Sequence, residues 1–136
     1  MSIYYRMMEQ TDNLHPGENK KRGFYPRIIG KGTVGLRGLC LKAAEGTTFN
    51  AFELEAAAGI IIRGLLKELA DGNHVCFEGF GTFSVSAEAV RPVHTEKEVR
   101  SESIRVKKIV FKTSQALMKR LTGFIFRKMP KDGKLT

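Results

Sequence analysis

The stretch from Asn50 to Asp71 constrains this chain more than any other. Leu54, Ala57, Ala58, Ile61, Leu65 and Leu69 recur at helical spacing and form one apolar stripe. Ile60, Ile62 and Leu66 widen that stripe past half the circumference. Asn50 is placed to cap the first turn, and Glu53 stands three residues later, as in a capping box. Phe49 and Leu54 occupy the two positions of a hydrophobic staple, and Asp71-Gly72-Asn73 closes the far end. About 20 helical residues span roughly 30 Å. A helix that is apolar almost all round needs cover on more than one side. The neighbouring segment Thr33–Glu45 also reads as a helix, with Leu36, Leu39, Cys40 and Ala43 in register and Gly46 as its stop. It is too short to supply that cover. Gly35 and Gly38 weaken it by about 1 kcal/mol each against alanine, so it depends on packing. A second copy of the chain can cover the long helix, and a homodimer is expected.

The flanking segments change period. Ile3-Tyr4-Tyr5-Arg6-Met7 and Phe24–Ile29 read as two short strands, the second with an edge-compatible Pro26. A turn-rich stretch between them contains Pro16-Gly17 and the basic run Lys20-Lys21-Arg22, so a hairpin is expected over residues 1–32. From His74 to Val85, the residues Val75, Phe77, Phe83 and Val85 take apolar strand positions, interrupted by Gly79-Phe80-Gly81. Glycines there mark a bulge or a close backbone approach. Glu88–Ser103 is polar and contains Pro92, which suits a loop or arm. Ile104–Lys112 reads as a strand, and Ser114 to about Lys128 as a C-terminal helix with Leu117, Leu121, Phe124 and Ile125 as its apolar set. Pro130 follows, and residues 131–136 are expected to fray.

Charge separates along the chain. Residues 1–32 hold 6 basic and 3 acidic side chains, residues 33–90 hold 4 and 7, and residues 91–136 hold 13 and 4. The last third therefore carries a net charge of +9, equal to that of the whole chain. A basic end on a slightly acidic base suits a polyanion, nucleic acid above all. No apolar run reaches the ~20 residues of a membrane span, and Met1–Met8 makes a poor signal peptide. Cys40 and Cys76 stand among apolar neighbours and read as reduced, buried thiols of a cytoplasmic protein. They and the scattered His15, His74 and His94 have no metal-ligand spacing, so neither a metal nor a cofactor is expected. Paired carboxylates, a nucleophile elbow and a phosphate-binding Gly-Lys loop are all lacking. An enzyme with a small-molecule substrate is therefore the least supported class.

A helix, a long helix, two strands joined by a polar arm, and a C-terminal helix form a specific order. Within it, Gly72-Asn-His-Val-Cys-Phe-Glu-Gly-Phe-Gly-Thr-Phe83 resembles the HU/IHF family of bacterial histone-like DNA-binding proteins. The family's mark is a glycine-closed helix followed by a strand running into Gly-Phe-Gly-(Thr/Asn)-Phe. Phe111-Lys112 with Ala116-Leu117 is similar to the family's Phe-Lys-Pro-Gly-Lys-x-Leu segment, and Asn50 falls at its polar helix cap. The resemblance covers about residues 33–128. It implies an α+β fold: an intertwined dimer with a helical base, an antiparallel sheet with an arm, and a C-terminal helix. The N-terminal hairpin is an extension to this plan. The implied division is an extension over 1–32, an HU/IHF-like domain over 33–130 and a tail over 131–136.

The chain also departs from the family. The Arg-Asn-Pro-x-Thr-Gly arm tip is absent, the arm is shorter, and Glu96, Glu98 and Glu102 lie in or beside it. Thr113-Ser114-Gln115 replaces Pro-Gly-Lys, and residues 1–32 have no counterpart in the basic members. A variant branch with an extension and a reduced arm fits best. The resemblance implies a sequence-tolerant, architectural binder of double-stranded DNA in the bacterial nucleoid. The expected phosphate contacts are Arg91, Lys97, Arg100, Arg105, Lys107, Lys108 and Lys112, with Lys119 and Arg120 behind them. Strict alternation puts Arg105 and Lys107 on one face of their strand and Lys108 and Lys112 on the other, so at least one pair should miss the DNA. Phe80, Phe83 and Phe111 read as core, and Gly79 and Gly81 as structural. The acidic, shortened arm also suits a second reading, a dimeric protein-interaction or assembly module that has lost strong DNA binding.

Overall fold

Local sequence chemistry accounts for most element boundaries. The computed structural model describes residues 1–11, 22–91, 95–98, 100–131 and 133. The expected features at Pro16-Gly17, Lys20, Lys21 and Pro92 lie outside the described residues. The fold is α+β. The chain divides into two units, Met1–Val34 with Gly123–Thr136, and Gly35–Thr122.

In the first unit, β1 (Ile3–Thr11) and β2 (Arg22–Ile29) pair antiparallel from Tyr4↔Ile29 to Thr11↔Arg22, as the expected hairpin requires. The third strand is β6 (Phe126–Lys128), which runs parallel to β1 with Ile3 opposite Phe126 and Tyr5 opposite Lys128. The helix expected to reach Lys128 therefore stops earlier. Thr122 donates its hydroxyl proton to the Lys119 carbonyl at 2.6 Å, Gly123 follows, and Phe124-Ile125-Phe126 continues as extended chain. Three successive bulky residues favour a strand when an edge is open to them.

The second unit begins with α1 (Leu36–Ala44) and α2 (Ala51–Ala70). α1 is shorter than Thr33–Glu45 because Gly35, at its N-cap, has no side chain to satisfy the first turn. Asn50 caps α2 by accepting the Phe52 amide at 2.9 Å, and among the described residues no bond returns from Glu53. At the other end Gly72 takes φ +87°, and Asn73 donates backbone and side-chain hydrogens to Glu68 at 3.0 and 2.9 Å. Arg37 of α1 lies 5.2 Å over the Phe52 ring and 4.0 Å from Glu55, tying the two helices together.

β3 (Val75–Phe77), β4 (Gly81–Ala89) and β5 (Ile104–Thr113) follow as an antiparallel sheet in that order. Gly79 turns between β3 and β4 at φ +76°. Gly81 is needed for a different reason: a Cβ there would stand 2.5 Å from the Lys112 carbonyl and the Phe111 ring. α3 (Gln115–Leu121) starts at Ser114, whose hydroxyl accepts the Leu117 amide at 3.1 Å.

The core of a single chain is small. Among the described residues only Cys40 and Leu69 are buried large or apolar side chains, each 6% exposed. Phe52 and Ile60 of α2 remain 62% and 60% exposed, and Ile61, Ile62 and Leu66 are exposed beside them. Cys76 is exposed, not buried, because it sits in β3, an edge strand of the sheet. It lies opposite Thr82 on the polar face of the sheet.

Candidate nucleic-acid interface

The sheet of the second unit is built with two unlike faces. Its pairing runs from Gly81↔Thr113 to Ala89↔Ile104, with a register shift at Ser86/Ala87. Ser86 lies opposite Lys108 and Ala87 opposite Val106, so Lys107 is the extra residue of a β-bulge. The bulge resets the alternation of β5. On one face lie Phe83, Val85, Ala87 and Ala89 of β4 with Phe111, Ile109, Val106 and Ile104 of β5. On the other lie Thr82, Ser84, Ser86 and Glu88 with Lys112, Val110, Lys108 and Arg105.

This corrects the division expected from strict alternation. Arg105 joins Lys108 and Lys112 on one face, and Lys107 is set apart at the bulge. The three cations are exposed. Lys108 and Lys112, four residues apart, are separated along the strand by about 13 Å. Between them Thr82, Ser84 and Ser86 supply small hydroxyl side chains that hold no bulk above the backbone. Ser86 donates its hydroxyl to the Lys108 carbonyl at 3.3 Å. Small polar groups flanked by lysines make a surface that a sugar–phosphate backbone can approach.

Arg105 is not a free cation. Its Nε donates to Glu88 Oε1 at 2.8 Å across the strand pair. The described face thus carries three positive side chains and one carboxylate.

The other expected contacts are placed differently. Arg91 follows β4 as an exposed bend residue. Lys97 sits in a single 3₁₀ turn, Glu96–Glu98, and Arg100 precedes another, Ser101–Ser103. The Val90 amide donates to the Ser103 carbonyl at 2.7 Å and closes the base of this arm. Arg91 and Arg100 therefore flank the arm base. Lys119 and Arg120 are exposed in the last turn of α3, outside the sheet, and add nothing to its rows. The residues missed from sequence are Glu88 and the hydroxyl row. The alternation Thr82-Phe83-Ser84-Val85-Ser86 was the available signal for that row.

The apolar face carries an aromatic cluster. Phe83 and Phe111 have ring centroids 4.9 Å apart, Phe80 and Phe111 5.0 Å, and Phe77 and Phe83 5.3 Å. These rings pack on one another on the side away from the lysines, but of the expected core residues only Phe83 is half-buried; Phe80 and Phe111 stay 45% and 40% exposed, because a single chain covers the cluster on one side only. Among the described residues no group of three His, Cys, Asp or Glu side chains could hold a metal ion. None of the described helices is long and apolar enough to cross a membrane.

Comparison with known proteins bears on this arrangement. The family model HU-HIG, "HU domain fused to wHTH, Ig, or Glycine-rich motif", matches residues 1–128. A crystal structure from Bacteroides vulgatus ATCC 8482, described provisionally as a bacterial DNA binding protein, superposes with a TM-score of 0.66 at 7% identity. It covers 94% of this chain, while the chain spans 48% of that protein's length. An Anabaena HU–DNA cocrystal structure covers 66% of this chain and 99% of its own, at 14% identity and a TM-score of 0.49. The first likeness extends the shared fold over nearly the whole chain; the second is too slight to carry an argument. No curated protein matches the sequence.

Proposed function

The chain belongs to the HU-HIG family, and from that premise we propose that it binds double-stranded DNA as a homodimer, through the polar face of the β3–β4–β5 sheet. The observation that carries this reading is the bulge at Lys107, which gathers Arg105, Lys108 and Lys112 on the face opposite the phenylalanine cluster. Lysines over a row of hydroxyls contact phosphates and sugars, not base edges, so binding is largely tolerant of sequence. Lys107, Arg91, Lys97 and Arg100 add contacts from the bulge and the arm. Lys119 and Arg120 are a second tier. This is the charge distribution of an architectural, histone-like protein of the nucleoid that compacts DNA without reading it. In that reading the HU-like domain spans 33–130 and residues 1–32 are its extension.

The dimer follows from α2. Phe52, Ile60, Ile61, Ile62 and Leu66 of this helix are exposed in a single chain, and a helix so apolar calls for cover. A second copy covers these side chains and the outer side of the phenylalanine cluster, and brings two basic faces into one particle. Binding and positioning account for every polar group on the face, so no catalytic step is assigned to it.

Fluorescence anisotropy with a duplex of about 30 base pairs tests this reading, since log Kd changes by about 0.9 per log unit of salt for each phosphate neutralised. Saturable binding with a slope of several units, from a chain that sediments as a dimer, is the expected result. A folded dimer that ignores the duplex at low salt leaves the assembly-module reading, which the acidic arm favours.

A further inference from the structure

We propose that the first unit carries a second nucleic-acid binding face, in addition to the polar face of the β3–β4–β5 sheet, built from Arg6, Arg27 and Arg127. The pairing of its sheet places them together. Arg6 lies directly opposite Arg27 across β1 and β2. Arg127 of β6 lies opposite Tyr4, which is two residues from Arg6 and so on the same face of β1. Arg6 and Arg127 are thus diagonal neighbours, about 7–8 Å apart at the backbone. All three are exposed. Lys31 adds a fourth cation, its ammonium 5.3 Å from the centroid of the Tyr4 ring. Tyr25, opposite Met8, stands on this face as well.

Like charges directly opposite one another destabilise a sheet, and a carboxylate on the same face is the ordinary remedy. None is present among the described residues: Glu9 falls on the other side of β1, opposite Phe24. No ion pair links Arg6, Arg27 or Arg127 to a described carboxylate. Among the described residues, then, the positive charge of this face meets no carboxylate, and a polyanion would neutralise it. Arginine specifies the ligand further, because its planar fork takes two phosphate oxygens at once. The tyrosines offer ring edges and hydroxyls to sugars and bases. Met8 and Ile29, on the arginine face, are half-buried, whereas the exposed Phe24, Ile28 and Phe126 that a lipid surface would need lie on the opposite face of the sheet. That asymmetry selects a nucleic-acid backbone over a membrane.

The test uses the whole chain and reads each arginine separately. Phenylglyoxal modifies accessible arginines, and mass spectrometry gives the rate at each position. Rates are compared without ligand, with a duplex, with a single strand of equal length and with phosphatidylglycerol vesicles. Several-fold slowing at Arg6, Arg27 and Arg127 with either nucleic acid supports the face, and the stronger protector identifies which form it takes. Slowing at Arg105 alone overturns this proposal and leaves the β3–β4–β5 face standing. Slowing by vesicles alone assigns the face to membranes and overturns it too. No slowing anywhere overturns both binding faces. In parallel, the R6Q/R27Q/R127Q variant should flatten the salt dependence by about 2.7 per chain, from three contacts at ~0.9 each. An unchanged slope in a variant with wild-type circular dichroism also overturns it.

Discussion

Replacing Glu88 with glutamine should strengthen DNA binding. The carboxylate holds Arg105 at 2.8 Å from directly across the strand pair, on the face assigned to phosphates. Both side chains are solvated, at 60% and 36% exposure, so the ion pair itself contributes at most about 1 kcal/mol to folding. Its larger effect is on the ligand, since it cancels one of the three cations on the face. Glutamine keeps the shape and the acceptor oxygen but removes the charge. If each freed Arg105 then neutralises one phosphate, a dimer gains two contacts, and the slope of log Kd against log salt steepens by about 1.8. At 0.1 M salt that corresponds to an upper bound of roughly 60-fold tighter binding. Anisotropy titrations of E88Q, R105Q and the double variant at several salt concentrations complete the cycle. The double variant should return to the slope of the wild type, because the original pair is close to neutral. An E88Q slope equal to that of the wild type, in a protein of unchanged fold and dimerisation, refutes the placement of Arg105 on the DNA face.

Other outcomes follow from the same geometry. Gly81→Ala forces a Cβ to within 2.5 Å of the Lys112 carbonyl, and thermal unfolding should show a loss of about 1–3 kcal/mol from overpacking; an unchanged melting temperature contradicts the close approach. Asn50→Ala removes the acceptor of the Phe52 amide and should cost about 1 kcal/mol per chain in denaturant titration. Ile61→Glu places a charge on a side chain that is 56% exposed in one chain and that the proposed dimer would cover, so sedimentation should show monomer or unfolded chain. A wild-type dimer dissociation constant would remove α2 from the interface.

What the sequence disclosed was its local chemistry. Asn50, Gly72 and the apolar stripe between them delimit α2 through caps and periodicity, which need no tertiary information. Gly79 and Gly81 announced a tight passage, though only the fold separates a positive-φ turn from a steric one. The bulge was less visible, because strict alternation has no place for an extra residue. Its trace is nonetheless present: apolar positions fall on Ile104 and Val106, then on Ile109 and Phe111, and the parity changes across Lys107-Lys108. Reading that change would have put Arg105 with Lys108 and Lys112 from the start. β6 left no comparable trace. Phe126–Lys128 becomes a strand only because β1, more than a hundred residues earlier, offers an edge, and periodicity in a short window cannot register a distant partner. Cys76 departs from its expected burial for a related reason: its neighbours Val75 and Phe77 are apolar, but they lie on the opposite face of the sheet.

The most direct measurement of the central claim is the salt dependence of duplex binding for the K108Q/K112Q variant beside the wild type. Both lysines lie on the polar face, and neither contributes to the phenylalanine cluster. A dimer loses four phosphate contacts, so the account predicts a slope shallower by about 3.6, and binding weaker by roughly three to four orders of magnitude at 0.1 M salt. A variant that keeps the wild-type slope would place the DNA elsewhere on the protein and contradict the account.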